Sequence, residues 1–157
     1  MRMFEKMRRG LAAAAFLSGA LIAGSAQARH THHGDRSEQG VHVRVDVAEQ
    51  KMEVYVDGEL QHRWRVSTGR SGYETPGGVY RPQRLEREWY SKQYDDAPMP
   101  HAVFFSGGYA IHGTTDVRRL GRQASHGCIR LHPDHAEELY DLVEEHGARN
   151  TRIEITD

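Results

Sequence analysis

Hydrophobic and polar residues alternate along the part of the chain that follows residue 40. Valines occupy every second position over residues 41–47 with polar or charged residues between them, a pattern typical of a strand buried on one face. Residues 52–56 also read as a strand, and the Asp57-Gly58 dipeptide that follows favours a tight hairpin turn. The pattern then predicts a returning strand over residues 60–68.

One helix is predicted in the remaining sequence, among short strands and loops. Residues 69–78 contain four glycines and a proline and are predicted to form a loop, and residues 84–100 look irregular and polar. Short extended segments are predicted at residues 78–80, 102–105, 109–111 and 151–156. The helix is predicted from about Asp134 to His146, with Pro133 near its first turn, Gly147 as its stop and apolar residues at helical spacing. The pattern therefore indicates a single, mainly β domain with one clear C-terminal α-helix.

The first 28 residues have the pattern of a secretory signal peptide. Four basic residues precede an apolar run over residues 11–23, and Ala26-Gln27-Ala28 has the small-x-small form of a cleavage site. A membrane anchor is the alternative, but the run is shorter than the roughly 20 apolar residues of a membrane span. The sequence therefore predicts an exported protein.

A short polar segment, residues 29–40, separates this signal from the first strand and is predicted to be a disordered leader. Its clustered histidines, His30, His32 and His33, fit either a solvated tail or adventitious metal binding. Without residues 1–28 the chain has 17 Lys and Arg against 21 Asp and Glu, a formal charge of −4. This balance argues against nucleic acid as a partner, and no further segment is apolar enough to predict a membrane span.

The chain contains one cysteine, Cys128, so an exported form cannot close an internal disulfide. The thiol is buried and inert, paired with another chain, or reactive. His126 and His112 are two candidate bases for a reactive thiol, and Gly127 and Gly113 lie next to them. Glycine allows a substrate close to the backbone, where N–H groups can stabilise a developing oxyanion.

Two other interpretations of these residues are open. A lone cysteine is commonly a small buried hydrophobic residue. Alternatively, zinc has possible ligands in His112, His126, Cys128 and His132, although their spacing matches no common zinc pattern.

The His112-Gly113 pair and residues 125–131, Ser-His-Gly-Cys-Ile-Arg-Leu, resemble the signature of the L,D-transpeptidase catalytic domain family (YkuD type). The resemblance extends upstream to residues 75–78 and 96–100, and it covers residues 41–157. It implies a β-sandwich-like fold of mixed sheets with a helix packed against it. It also implies an enzyme that acts on peptidoglycan outside the cytoplasmic membrane, in the periplasm or cell envelope.

The resemblance also implies a role for each residue of the motif. Cys128 is the nucleophile, His112 its general base, and the carbonyl of Gly113 orients the His112 ring. His126 is a supporting histidine, and the N–H groups of Gly127 and Cys128 form the oxyanion hole. Ser125 and Arg130 belong to the substrate-binding set, in which Arg130 meets a carboxylate of the stem peptide.

The implied reaction is acyl transfer from a tetrapeptide stem, with release of D-Ala and formation of a 3→3 cross-link during cell-wall biogenesis. It needs no metal and no organic cofactor, and carbapenem-type β-lactams are implied as acylating inhibitors. The thioester can instead pass to water, to a D-amino acid or to a protein lysine. A module that only binds peptidoglycan or zinc is the non-enzymatic alternative. Trp89, Tyr90 and Tyr94 either line the groove or have a packing role.

Overall fold

The computed structural model describes residues 39–157 of the chain. The predicted signal peptide, residues 1–28, and the predicted leader up to residue 38 lie outside the described residues. Within residues 39–157, no helix combines the length and apolar character that crossing a membrane requires. The strands, in chain order, are β1 (Val41–Asp46), β2 (Lys51–Val56), β3 (Glu59–Arg65), β4 (Gly78–Tyr80), β5 (Arg84–Glu86), β6 (Tyr90–Ser91), β7 (Ala97–Pro98), β8 (Ala102–Ser106), β9 (Tyr109–Gly113), β10 (Ile129–Leu131) and β11 (Thr151–Thr156).

A five-stranded sheet has the order β3-β2-β1-β11-β4. Its centre is the parallel pair of β1 and β11, in which Val43 lies opposite Ile153, and both side chains are fully buried. The alternation of β1 buries its valines and turns its polar residues outward, as the period of two predicts. The β2–β3 turn has positive φ at both Asp57 (50°) and Gly58 (82°), the backbone of a tight hairpin turn.

A four-stranded sheet has the order β10-β9-β8-β5, and one face of it packs into the same core. The one α-helix of residues 39–157, α1 (Pro133–His146), lies against β9 and contributes four buried residues, Ala136, Leu139, Tyr140 and Val143. At the N-cap of α1, the side chain of His132 accepts a hydrogen bond from the N–H of Asp134. The predicted mainly β fold, with mixed sheets and one helix, is confirmed.

Two local predictions need correction. Strand β3 ends at Arg65, so residues 66–68 are not part of the hairpin. Instead Val66 and Ser67 bond to Gln50 and Arg130, which draws this segment toward the second sheet. Residues 84–100 are less irregular than predicted, because they contain β5 and the small β6–β7 pair.

The outer face of β8–β10 is the one that carries polar chemistry. Alternate residues of β9 go to opposite faces, so Ile111 enters the main core whereas Ala110 belongs to a separate outer cluster with Phe104. Cys128 packs against this outer cluster. Parallel pairing of β9 with β10 sets His112 beside Arg130. The topology therefore brings the two halves of the sequence motif to one surface.

Candidate active site

A cavity of about 640 Å³ opens over this outer face. Its walls include the predicted motif residues His112, Ser125, His126, Cys128 and Arg130. The opposite wall comes from the β5–β8 region, including Trp89, Tyr94 and Phe104. His112 and Cys128, which are 16 positions apart in the sequence, therefore line the same cavity.

His112 is only 6% exposed, and its ring is held by its own neighbour. Its Nδ1 lies 2.7 Å from the carbonyl oxygen of Gly113. Because a carbonyl only accepts, Nδ1 carries the hydrogen and Nε2 is left as the basic nitrogen. Burial lowers the pKa of His112 to about 4; the Gly113 hydrogen bond opposes this effect and the charge of Arg130 adds to it. The imidazole is therefore neutral at physiological pH.

The Gly113 peptide that holds His112 is itself clamped. The N–H of Gly113 donates to the carbonyl of Pro100 at 2.9 Å, and the next N–H, of Thr114, donates to the carbonyl of Leu131 at 2.9 Å. The second bond ties the histidine strand to the strand that follows Cys128. The orientation of the imidazole therefore depends on the pairing of β9 with β10.

Cys128 is a partly buried free thiol at the end of the loop that leads into β10. Its Sγ lies 3.8 Å from the carbonyl oxygen of Gly108, and it accepts a hydrogen bond from the N–H of Ala110. Burial raises the pKa of the Cys128 thiol, whereas the Ala110 N–H and the charge of Arg130 pull it down. At rest the site therefore pairs a neutral thiol with a neutral imidazole.

The loop before Cys128 bends sharply at Gly127, which has φ of +108°. The backbone is therefore not extended between His126 and Cys128. A Cβ at position 127 would come within 2.5 Å of the Tyr109 ring, so only glycine fits this backbone. The bend lies immediately before Cys128 in the chain.

The hydroxyl of Ser125 braces this bend. It donates to the carbonyl of Cys128 at 2.6 Å and accepts from the N–H of Gly127 at 3.0 Å. Ser125 is almost fully buried, and its hydroxyl proton is already donated to the Cys128 carbonyl. These contacts favour a role in holding the loop over the predicted contact with substrate. The Gly127 N–H, which was expected in the oxyanion hole, is likewise occupied in this state.

Further braces come from residues whose roles the sequence did not indicate. The hydroxyl of Thr75 donates to the carbonyl of Gly127 at 2.8 Å and accepts from the N–H of Gly69 at 2.9 Å. The carbonyl of Thr68 accepts from the N–H of Ser125 at 2.9 Å. The buried side chain of Gln50 in turn accepts a hydrogen bond from the N–H of Thr68 and donates one to its hydroxyl. The available signal for Thr75 was its place in the upstream part of the family resemblance. Gln50 carries no such signal.

His126 lies between two aromatic rings. Tyr94 stacks on it, with ring centroids 4.4 Å apart and planes at 18°, and Tyr73 meets it edge-on at 4.9 Å. Burial lowers the pKa of His126, as do the charges of Arg70 and Arg130. Trp89 also lines the cavity and packs edge-on against Phe104, whereas Tyr90 is 56% exposed.

The zinc interpretation gains no geometric support. Among residues 39–157, no three His, Cys, Asp or Glu side chains converge as a metal site requires. His132, one of the four candidate ligands, is instead at the N-cap of α1 and has its Nδ1 3.6 Å from a carboxylate oxygen of Asp134.

The Cys128 thiol, in the loop just before β10, and the buried imidazole of His112, on the paired strand β9, line one cavity, an arrangement that suits cysteine–histidine acyl transfer. The sequence profile of the L,D-transpeptidase catalytic domain, YkuD, matches residues 40–155. The chain therefore belongs to the L,D-transpeptidase catalytic domain family.

Individual relatives agree with this assignment. The probable L,D-transpeptidase ErfK/SrfK of Salmonella typhimurium is 31% identical over 137 residues, which cover 72% of this chain and 43% of that protein. The crystal structure of an L,D-transpeptidase from Stackebrandtia nassauensis has 25% identity and a TM-score of 0.68 and covers 83% of this chain and 62% of its own. The chain thus spans less than two thirds of either relative.

Two solved relatives contain β-lactam-derived groups. L,D-transpeptidase 3 from Mycobacterium tuberculosis was solved with a faropenem-derived adduct; it shares 23% identity and a TM-score of 0.65 over 75% of this chain and 60% of its own. The L,D-transpeptidase LdtMt1 was solved in complex with imipenem, with 23% identity and a TM-score of 0.65 over 74% of this chain and 59% of its own. These likenesses show a shared fold.

Proposed function

We propose that this chain is an exported peptidoglycan L,D-transpeptidase that uses Cys128 as its nucleophile and His112 as its general base. Membership of the family supports the activity class. The observation that carries the residue assignment is the hydrogen bond from His112 Nδ1 to the Gly113 carbonyl, 2.7 Å long. It leaves Nε2 as the basic nitrogen of the neutral His112 ring, in the cavity that also holds the thiol.

In the first step Cys128 attacks the carbonyl of the L-centred diamino acid of a tetrapeptide stem. Nε2 of His112 takes the thiol proton as the sulfur–carbon bond forms, and the resulting imidazolium gives that proton to the departing D-Ala amine as the amide bond breaks. The oxyanion is held by the N–H of Cys128, and by that of Gly127 once Ser125 Oγ releases it. A thioester on Cys128 results.

In the second step the side-chain amine of another stem attacks this thioester. His112 accepts a proton from the amine, and the Cys128 thiol is regenerated as the 3→3 cross-link forms. One amide is exchanged for another, so no outside energy source is needed. His126 shapes the entrance and holds no proton in transit, which agrees with its place between two tyrosine rings.

Intact-mass measurement of the mature chain with a defined tetrapeptide muropeptide tests this proposal. We expect an adduct equal to the donor minus D-Ala, and a cross-linked dimer after an acceptor stem is added. Cys128→Ser and His112→Gln should both lose the adduct, whereas His146→Gln, at the far end of α1, should keep it. Donor binding without any adduct would instead identify a binding module and contradict the proposal.

The acceptor is read from the same samples. Release of tripeptide without a dimer would show that water accepts the acyl group, and an adduct that transfers only to D-amino acids or to protein lysine would show exchange or protein attachment. Any of these outcomes keeps Cys128 as the nucleophile but replaces cross-linking as the reaction.

We extend the proposal to inhibition. The two β-lactam-containing relatives support acylation of Cys128 by carbapenem-type compounds. Imipenem should add its full mass to the protein, because ring opening loses no atoms, and Cys128→Ser should stay unmodified. An unmodified wild-type protein after prolonged incubation would contradict this part.

Export is the last part of the proposal and depends on the signal pattern of residues 1–28. Cell fractionation should find the protein in the envelope or periplasm, with Arg29 as its mature N-terminus. Uncleaved protein in the cytoplasm would contradict it.

A further inference from the structure

The two N–H groups expected in the oxyanion hole differ in their hydrogen bonding. The N–H of Gly127 already donates to the hydroxyl of Ser125 at 3.0 Å. By contrast, the N–H of Cys128 donates to no acceptor among residues 39–157. A donor that is free at rest can stabilise an oxyanion without first giving up another bond. The direction of the Cys128 N–H therefore matters more for the attacked carbonyl than that of the Gly127 N–H.

The direction of the Cys128 N–H is set by the carbonyl of Gly127, because both belong to one peptide group. In a planar trans peptide the C=O and the N–H point in opposite directions. A hydrogen bond that holds the Gly127 oxygen therefore also holds the Cys128 N–H. The same bond polarises the peptide, and this strengthens the N–H as a donor.

Thr75 supplies that bond to the Gly127 oxygen. Its hydroxyl donates to the carbonyl of Gly127 at 2.8 Å and accepts from the N–H of Gly69 at 2.9 Å. Because an N–H only donates and a carbonyl only accepts, the hydroxyl proton is committed to Gly127. A chain of hydrogen bonds thus runs from Gly69 through the buried Thr75 to the peptide that ends in the Cys128 N–H.

The first donor of this chain, the N–H of Gly69, is held by the residues on either side of it. The carbonyl of Thr68 accepts from the N–H of Ser125 at 2.9 Å. The N–H of Arg70 donates to the carbonyl of Ser125 at 3.1 Å. The segment that carries Gly69 is therefore tied to the loop before the nucleophile, and Thr75 connects the two a second time.

We propose that Thr75 is a positioning residue for the oxyanion hole, because it holds and polarises the Gly127–Cys128 peptide. As the sulfur–carbon bond forms, the π electrons of the attacked carbonyl move to its oxygen, and the oriented N–H of Cys128 meets the negative charge there. Thr75 does not line the cavity, so it acts through this peptide and not on the substrate. The proposal rests on the proposed transpeptidase function.

Single-turnover acylation of Thr75→Val by the tetrapeptide donor, followed by intact mass, tests the proposal. Valine keeps the shape of threonine but cannot donate to Gly127. We expect the maximal rate of thioester formation to fall about 10-fold, which is less than the roughly 100- to 1,000-fold loss on removing an oxyanion donor outright. The donor concentration for half-maximal rate should change by less than about 2-fold, since no contact with the ground-state substrate is lost.

Alkylation of Cys128 by iodoacetamide separates this role from a purely structural one. The sulfur displaces iodide from a saturated carbon, so no oxyanion forms in this reaction. Thr75→Val should therefore be alkylated at the wild-type rate although its acylation is slow. If alkylation slows as much as acylation, the substitution has displaced the loop or the sulfur, and the proposal is overturned.

Two further variants serve as controls. Thr75→Ser keeps the hydroxyl and should acylate at close to the wild-type rate; a rate as low as that of Thr75→Val would overturn the proposal. Thr151→Val is the matched control, because Thr151 is also a buried threonine whose hydroxyl donates to a glycine carbonyl, that of Gly147 at 3.1 Å, and it lies outside the cavity lining. It should acylate as wild type does.

Thermal melting shows which variants are folded. If Thr75→Val is unfolded, Thr75→Ala replaces it with the same expected rates, and if neither folds, the hydroxyl is a requirement of the fold and the proposal is overturned. Equal acylation of wild type and a folded Thr75→Val would also overturn it while leaving the transpeptidase function intact. Absence of a thioester in the wild-type protein would instead contradict the proposed function, and the role of Thr75 with it.

Discussion

The resting state of Cys128 is the feature that the structure predicts most sharply. The pKa of His112 is lowered to about 4, and that of Cys128 is raised above its ordinary value of 9.0. A Cys128 thiolate paired with a protonated His112 is therefore not the expected ground state. We expect a neutral pair whose proton moves only as the substrate carbonyl is attacked.

The magnitudes support the neutral pair. Because the pKa of His112 is about 4, protonating its imidazole at pH 7 costs about 4 kcal/mol before any new charges attract one another. Two unit charges about 4 Å apart gain only about 4 kcal/mol at an effective dielectric constant near 20. That attraction offsets only the cost at His112, and the raised pKa of the Cys128 thiol adds a further cost, so the neutral pair is favoured and the thiol is mostly protonated at pH 7.

Alkylation by iodoacetamide measures that thiolate directly, because Cys128 is the only cysteine in the chain. Between pH 6 and pH 8.5 the rate constant should rise about 10-fold per pH unit, as expected for a thiol that is mostly protonated. His112→Gln should follow the same slope. Cys128→Ser is the control for reaction at other side chains.

A plateau of high reactivity between pH 5 and pH 8 would refute this reasoning. If His112→Gln abolished the plateau, the ion pair would exist at rest, and burial would be a weaker influence on both groups than the structure indicates.

The remaining predictions concern stability and positioning. The pKa of His112 is 6.5 in the unfolded chain and about 4 in the folded protein, so its contribution to the free energy of unfolding is fully present above pH 6.5 and should fall by up to about 3 kcal/mol as the pH drops to 4. Urea unfolding should show this loss in wild type and not in His112→Gln. An equal pH dependence of the two proteins would contradict the prediction. In Gly113→Ala the new Cβ would lie 3.1 Å from Cγ of Pro100, so we expect the free energy of unfolding, measured by thermal melts, to fall by about 1–3 kcal/mol and acylation to be slower. An unchanged acylation rate would contradict the role of the Gly113 peptide in orienting His112. Tyr94→Ala should slow acylation about 2- to 10-fold, because it removes the ring stacked on His126, whereas Tyr94→Phe keeps a ring and should not slow it. If both variants slowed acylation equally, the Tyr94 hydroxyl would be responsible instead of the stacked ring.

Local patterns predicted most of the secondary structure because they report on burial of neighbouring residues. The alternating valines of β1 and the helix signals at Pro133 and Gly147 each act within a few positions. Residues 84–100 were harder to predict, since β6 and β7 have two residues each and depend on pairing with one another.

The motif residues were predictable as a set, but their individual contacts were not. His112 and Cys128 stood out from residue type and family resemblance. That Ser125 uses its hydroxyl on the loop, and occupies the Gly127 N–H, follows from a bend at φ +108° that no residue pattern indicates. Gln50 was missed because its partner, Thr68, is 18 positions away.

The sequence by itself determined the strand period, the position of the helix and the identity of the candidate reactive groups, since each depends on residues close together in the chain. Only the tertiary structure decided how those groups behave. Burial in the fold lowers the pKa of His112 to about 4, and the pairing of β9 with β10 sets His112 beside Arg130, in a cavity whose wall also includes Cys128. Burial and electrostatic fields depend on distances through space, and the fold alone sets these for residues far apart along the chain.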